Sequence, residues 1–193
     1  MAMSASEQGS ATEGPSGQTD GAHRAEAICD ELVAAGITLL AWVPDSETHF
    51  MHDVIEARDE IRVVQVCREG EALALCAGAY AGGARAALLI ENQGLFDAGN
   101  ILKWTIGMRL PYVMLVGYLF YETMQRDKTG AVLTVQGVRD VTEPFLTAFG
   151  VPTWIVARDE DTRLVGKACD AAFDERTPTA VLLSSADRYH PGT

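Results

Sequence analysis

The sequence predicts an α/β protein: a doubly wound, six-stranded, mainly parallel sheet with helices on both faces. Three observations carry that expectation. Six short apolar runs recur between residues 38 and 185. Each run is continuous rather than alternating, the mark of a strand covered on both faces. Segments with helical spacing or small-residue composition separate them, which calls for right-handed crossovers between parallel neighbours.

The elements follow in order. Residues 24–35 (RAEAICDELVAA) space their apolar side chains as a helix does and stop at Gly36. TLLAWV (38–43) is the first strand, broken by Pro44, and residues 46–58 return to a helical pattern. RVVQVC (62–67) is β-branched and strand-like, GEALALCAGAYAGG (70–83) is a small-residue helix, and AALLIE (86–91) is a buried strand. Residues 95–108 read as one helix and PYVMLVGY (111–118) as the next strand. LFYETMQRDKTGAVLT (119–134) is less patterned and precedes a helix over 137–149. TWIVA (153–157), a helix over 158–175 with acids in its first turn, and TAVLLSS (179–185) complete the series. No internal repeat is present.

A chain of 193 residues suits one domain with a substantial core. The expected division is a Gly/Ser/Thr-rich disordered lead (1–22), a single domain (23–187) and a short tail (188–193); His23, at the boundary, and His190 are read as tail residues. The lead has neither a basic n-region nor an apolar h-region, and no run approaches the ~20 apolar residues of a membrane span, so a cytoplasmic protein is expected. The net charge of −12 opposes sequence-independent nucleic-acid binding and polybasic membrane contact. The four cysteines (Cys29, Cys67, Cys76, Cys169) lack metal-type spacing. Three lie in apolar segments and read as small core residues of a reducing compartment. His49 and His52 stand i, i+3 with no third ligand in view, so a solvated helical face explains them.

In a doubly wound sheet ligands collect outside the carboxyl ends of the strands. The turns to search are therefore VPDS after the first strand, REGE after the second, ENQG after the third, and the 119–134 loop after the fourth. No G-x-G-x-x-G, P-loop or G-x-S-x-G motif occurs in them. GAYAGG sits at a helix end rather than opening one, so close packing and a helix stop account for its glycines. Glu71 lies inside the first helical turn, where the dipole explains it. Glu69 follows the strand at the ligand rim. Spacing alone leaves it either a helix-start charge or a functional acid.

Read together, Val43-Pro44-Asp45-Ser46, Glu69-Gly70 with ALALCAGAYAGG behind it, and Glu91-Asn92-Gln93-Gly94-Leu95 leading to Asn100 resemble the pyrimidine-binding domain of thiamine diphosphate enzymes. Within that superfamily they are most similar to the alpha subunit of split phosphonopyruvate and sulfopyruvate decarboxylases. Members read close to V-P-D-S, N-E-G-x-A-x-A-x-A-A-G and Q-N-S-G-L-G-N at these places. The resemblance spans roughly residues 24–185. It implies that Glu69 hydrogen-bonds the aminopyrimidine of thiamine diphosphate and activates the cofactor for attack on a small anionic 2-oxo acid. It also implies catalytic or substrate-binding roles for Asp45 and Ser46, roles that can coexist with a helix N-cap at the same place. Pro44, Asn92, Gln93 and Gly94 would line the cofactor, Gln93 also the substrate, and Asn100 would cap or orient a helix end. Arg126 and Lys128 would bind the substrate anion. A polar turn or a solvated loop explains these residues as well.

Two departures stand out. LFDAG separates Gly94 from Asn100, longer than the family's link, and the loop after strand four lacks the family's histidine, which leaves the proton donor open. The G-D-G…N-N motif that holds Mg²⁺ is absent, and Asn92 and Asn100 are the chain's two asparagines. The resemblance therefore implies a hetero-oligomer, with a beta subunit holding Mg²⁺ and the diphosphate. Two alternatives are a two-component carboligase of acyloin or acetolactate type and a catalytically silent regulatory domain.

Overall fold

The computed structural model describes residues 17–119 and 137–184. Its strands are β1 (Leu39–Trp42), β2 (Arg62–Gln65), β3 (Ala86–Glu91), β4 (Val113–Gly117), β5 (Thr153–Val156) and β6 (Thr179–Leu183). They form one sheet in the order β2-β1-β3-β4-β6-β5, and every neighbouring pair is parallel. The predicted architecture is thus borne out, and wholly parallel rather than mainly so. The chain moves from β1 to β2 on one side and returns to β3 on the other. That reversal places the topological switch point between the carboxyl ends of β1 and β3.

Both faces are covered, as continuous apolar strands require. One core layer joins α1 (Gly17–Ala34), α2 (His52–Glu56) and α7 (Leu164–Glu175) to Leu40, Leu89, Leu115 and Val181 of the sheet. The other joins α3 (Glu69–Ala81), α4 (Asn92–Asp97), α5 (Gly99–Gly107) and α6 (Val138–Ala148) to Ala41, Leu88, Met114 and Leu182. In α1 the buried Ala25, Ile28, Cys29 and Leu32 keep the i, i+3, i+4, i+7 spacing that the sequence displays. The helix ends where Gly36, at φ +76°, lets its own N–H reach Val33 O and the Ile37 N–H reach Leu32 O. This paired closure needs a left-handed residue, which glycine adopts without a Cβ penalty.

Cys29, Cys76 and Cys169 are buried as expected, and Cys67 is exposed. Burial pushes their thiols up, to about 11 for Cys29 and about 12 for Cys76 and Cys169, so all three are inert packing groups. No helix among the described residues is long and apolar enough to cross a membrane.

Several boundaries differ from the periodicity. Helix α1 begins at Gly17, inside the stretch that composition assigns to a lead, and it carries His23 on a helix rather than in a tail. Apolar spacing marks the packed part of a helix, and helical propagation extends beyond it. The segment 46–58 stays irregular until a short 3₁₀ turn at His49–Met51, because Asp45 takes the backbone N–H groups of Glu47 and Thr48. ENQG is not a turn: α4 starts at Asn92 directly from β3. The single helix expected over 95–108 breaks between α4 and α5 at Ala98. There Phe145 of α6 presses on Gly99, where an added Cβ would lie 3.1 Å from its Cζ. The loop expected over 119–134 and the tail at 188–193 lie outside the described residues, apart from Leu119.

Candidate active site at the carboxyl edge of the sheet

Glu69 is the first residue of α3. Arg68 before it is extended (φ −146°, ψ 148°), so the chain turns from β2 into the helix at the rim of the sheet. The Glu69 side chain is half-buried and folds across Gly94 in the first turns of α4. A Cβ added at Gly94 would fall on the Glu69 Cγ, Cδ and Oε1 atoms. Gly94 is therefore the cradle of the carboxyl group, and its bare Cα is what allows the approach. Gly70 faces α5 more loosely, with Ile101 Cγ1 3.6 Å from an added Cβ. Small residues here let α3 and α4 approach closely at the carboxyl edge.

Arg68 and Glu71 frame this group without joining it. Arg68 Nη2 donates to Asp97 Oδ2 at 2.6 Å, an exposed pair that ties the start of α3 to α4. Glu71 Oε2 accepts the Cys67 N–H at 3.1 Å and so closes the helix start. Of the two glutamates, Glu71 has a local task, whereas Glu69 lies against the next element.

The VPDS segment crosses the sheet edge from β1. Asp45 Oδ1 accepts the N–H groups of Glu47 (2.7 Å) and Thr48 (2.8 Å), and Oδ2 accepts the Thr48 hydroxyl at 2.7 Å. Burial raises its pKa above the ordinary carboxylate range, and the hydrogen bonds from Thr48 and Glu47 lower it in part. Asp45 thus acts as the local cap of the loop. Pro44 and Ser46 beside it are exposed at the rim. Glu47 is 5 % exposed and Thr48 fully buried, packed over Gly117 at the end of β4. A Cβ there would come within 2.8 Å of Glu47 Cβ and 2.9 Å of Thr48 Cγ2.

Asn92 is fully buried, and both ends of its amide are used. Its Nδ2 donates to Thr142 Oγ1 of α6 at 3.0 Å, and its Oδ1 accepts the Leu119 N–H at 3.2 Å. It fastens the start of α4 to α6 and to the segment after β4. Gln93 is exposed beside Gly94 at the same edge, and Asn100 accepts from Lys103 Nζ at 3.1 Å. Arg126 and Lys128 lie outside the described residues. The structure brings Pro44, Asp45, Ser46, Glu69, Gln93 and Gly94 to one edge, on the loops and helix starts that follow β1, β2 and β3. Among the described residues no group of three or more His, Cys, Asp or Glu side chains is placed to hold a metal ion.

Sequence reasoning passed over Glu47, Gly117 and Arg139 at this edge. For Arg139 a signal existed: Arg139, Thr142 and Leu146 share one helical face (i, i+3, i+7), the face that α6 turns to the sheet. Nothing local marks Glu47 or Gly117, because their contact joins segments some seventy residues apart.

No family model matches the chain. It is similar to sulfopyruvate decarboxylase subunit alpha of Methanococcus maripaludis, 23 % identical over 162 residues, which covers 83 % of this chain and 93 % of that protein. The protein of the same name from Methanothermobacter thermautotrophicus is 30 % identical over 94 residues, 48 % of this chain and 57 % of that one. That from Methanocaldococcus jannaschii is 32 % identical over 76 residues, 39 % and 45 % of the two chains. In fold the chain is similar to benzoylformate decarboxylase from Polynucleobacter necessarius, with a TM-score of 0.65, 18 % identity, and coverage of 88 % of this chain and 32 % of that one. It is also similar to 2-oxoglutarate:ferredoxin oxidoreductase from Magnetococcus marinus, with a TM-score of 0.64, 15 % identity, and coverage of 88 % and 29 %. The chain thus spans about a third of the length of these two solved chains. The resemblance read from VPDS, EG and ENQG is borne out by three relatives of one name.

Proposed function

We propose that this chain is the alpha subunit of a two-component, thiamine diphosphate-dependent decarboxylase of a small anionic 2-oxo acid, with Glu69 as the residue that engages the cofactor's aminopyrimidine. The observation that carries this reading is the Glu69 carboxyl group lodged over Gly94 at the carboxyl edge, one strand from the switch point. The residues present fit such a ring: a half-buried carboxyl group, a glycine cradle, and exposed Pro44, Ser46 and Gln93 at the same edge of the sheet.

When bound, thiamine diphosphate supplies the electron sink that lets a 2-oxo acid lose carbon dioxide. The chain's own contribution is orientation and proton control. Glu69 would hold the ring nitrogen of the pyrimidine through a hydrogen bond to its carboxyl group. Gly94 and Pro44 shape the space for the ring, with Gln93 beside them and Asn92 fixing the start of α4. Ser46 offers its hydroxyl to the substrate from the rim. Asp45 holds the loop that presents Ser46, through the three hydrogen bonds it accepts. Arg126 and Lys128 are assigned to the substrate's anionic group by the resemblance alone.

The name "subunit alpha" among the relatives supports a partner chain. We assign Mg²⁺ and the diphosphate to that beta subunit, because this sequence has no G-D-G…N-N motif.

The test is reconstitution. The chain is expressed with its partner, thiamine diphosphate and Mg²⁺ are added, and carbon dioxide release is followed over a panel of 2-oxo acids. Glu69→Gln should lower kcat by roughly 10²- to 10⁴-fold, the range for a removed proton-transfer group. Activity that survives Glu69→Gln removes the assigned role, and full activity from this chain alone removes the split site.

A further inference from the structure

Among the described residues, Arg139 is the least neutralised of the arginines drawn into the body of the protein. Its side chain is 15 % exposed, and its Nε–H is buried without a hydrogen-bond partner. Among the described residues its one carboxylate neighbour within 4 Å is Asp140, where Nη1 and Oδ1 stand 3.9 Å apart. By contrast, Arg24, Arg58, Arg68 and Arg158 meet their acids at 2.8, 2.7, 2.6 and 2.9 Å. Glu143, one helical turn on, is the natural partner of Arg139, but its carboxylate accepts the Tyr118 hydroxyl at 2.8 Å. A guanidinium taken out of water without a close counter-charge costs stability, and a buried unmet donor adds to that cost.

Its place in the fold says what kind of ligand would offset that cost. Arg139 is in the first turn of α6, an eleven-residue helix whose N-cap, Gly137, offers no side chain to the free N–H groups. That turn adds the positive end of the helix dipole to the guanidinium. It also lies one turn from Thr142, which accepts the Asn92 amide from the start of α4, the helix that carries Gln93 and Gly94. The helix that carries the cation is therefore tied to the start of α4 through Thr142, in a chain of net charge −12.

We propose that Arg139 and the amino end of α6 form an anion subsite, which takes the acidic tail (sulfonate, phosphonate or carboxylate) of the 2-oxo acid. The inference rests on the reading of the site given above and adds a specificity residue to it. Arg139 offers its two Nη groups to two oxygens of such a group, because its Nε–H is shut away from solvent.

Two measurements separate this subsite from the reaction itself. In the reconstituted complex, kcat/KM is compared for 2-oxo acids ending in a sulfonate, a phosphonate, a carboxylate or a methyl group. Arg139→Gln should collapse the preference for one of the charged tails over methyl by about ten- to hundredfold, the worth of a charge-assisted hydrogen bond, and Arg139→Lys by less. Equal losses on charged and methyl-ended substrates would mark a structural role and overturn the proposal. Separately, thermal unfolding of the full chain alone is followed against sodium sulfate at constant ionic strength. Wild type should gain more from sulfate than Arg139→Gln, which should unfold at the higher temperature when sulfate is absent. Identical sulfate responses would refute the subsite. A response that depends on Arg139 in a chain whose complex releases no carbon dioxide would keep the subsite and remove the decarboxylase reading.

Discussion

Replacing Gly94 by alanine puts one methyl group where the Glu69 carboxyl group already lies. Three atoms of Glu69 occupy that space, well inside the 3.4–4.0 Å of an ordinary contact. Either the carboxyl group swings out of its cradle or α4 shifts from β3. Overpacking of this kind costs about 1–3 kcal/mol, which for a chain of this size is a fall in Tm of roughly 2–12 °C. The same methyl group inside a helix otherwise gains about 0.5–1 kcal/mol over glycine. A double-mutant cycle isolates the contact, since Glu69→Ala removes all three obstructing atoms. Gly94→Ala should destabilise the wild type yet stabilise the Glu69→Ala variant, a coupling of roughly 1.5–4 kcal/mol between the two residues. Chemical denaturation of the four proteins supplies the energies. Carbon dioxide release by the reconstituted complex should fall with Gly94→Ala, as is expected for Glu69→Gln. Additive stabilities would refute the cradle, and full activity of Gly94→Ala would refute its part in the reaction. Gly78→Ala, on a helix position with nothing within 4 Å of the new Cβ, serves as the control that stabilises without touching the site.

Asp45 and His52 give two further tests. Asp45→Ala removes the acceptor of two backbone N–H groups and one hydroxyl, and a lost cap of this kind costs about 0.5–2 kcal/mol. Because the folded protein raises the Asp45 pKa from 3.8, ionisation works against the fold. The penalty is absent below the unfolded value, grows as pH rises through the folded one, and is constant above it. The stability of wild type relative to Asp45→Asn should fall across that window, and a flat difference from pH 3 to 7 would contradict the assignment. His52 lies against Trp42 with ring centroids 4.9 Å apart, and its Nδ1 is 3.0 Å from Asp53 Oδ1. The hydrogen bond to Asp53 raises its pKa above 6.5, with Glu56 adding to the shift, so its contribution to stability is whole below 6.5 and is lost as pH rises through the folded value. Asp53→Asn should bring the ring's titration by NMR back towards 6.5, and an unmoved titration would show that another group sets it.

The sheet was legible in the sequence because a doubly wound fold buries each strand on both faces, and a run such as AALLIE therefore needs no partner to announce itself. The helix α1 was legible for the related reason that one stripe of it, Ala25, Ile28, Cys29 and Leu32, meets a single core layer. Helix α4 was not, since Asn92-Gln93-Gly94 has neither an apolar stripe nor a cap signal. It is helical because Asn92 bonds Thr142 and the Leu119 N–H, and because Phe96 packs edge-on against Phe145 at 5.1 Å. Every one of those partners is distant in the chain.

The candidate site divides in the same way. By itself the sequence determined the chemical inventory: a glutamate directly after the second strand, VPDS after the first, ENQG after the third, and no metal motif. Motif and strand order are one-dimensional properties, and they placed these residues at the carboxyl edge before any packing was known. Only the tertiary structure decided how the inventory is shared out. It gave Glu71 to the Cys67 N–H, Asp45 to its own loop and Asn92 to α6, and it left the Glu69 carboxyl group over Gly94. The physical reason is that a side chain's task depends on which groups compete for its hydrogen bonds and its space. Those competitors, from Gly94 to Thr142, come from other elements that only the folded sheet brings within reach.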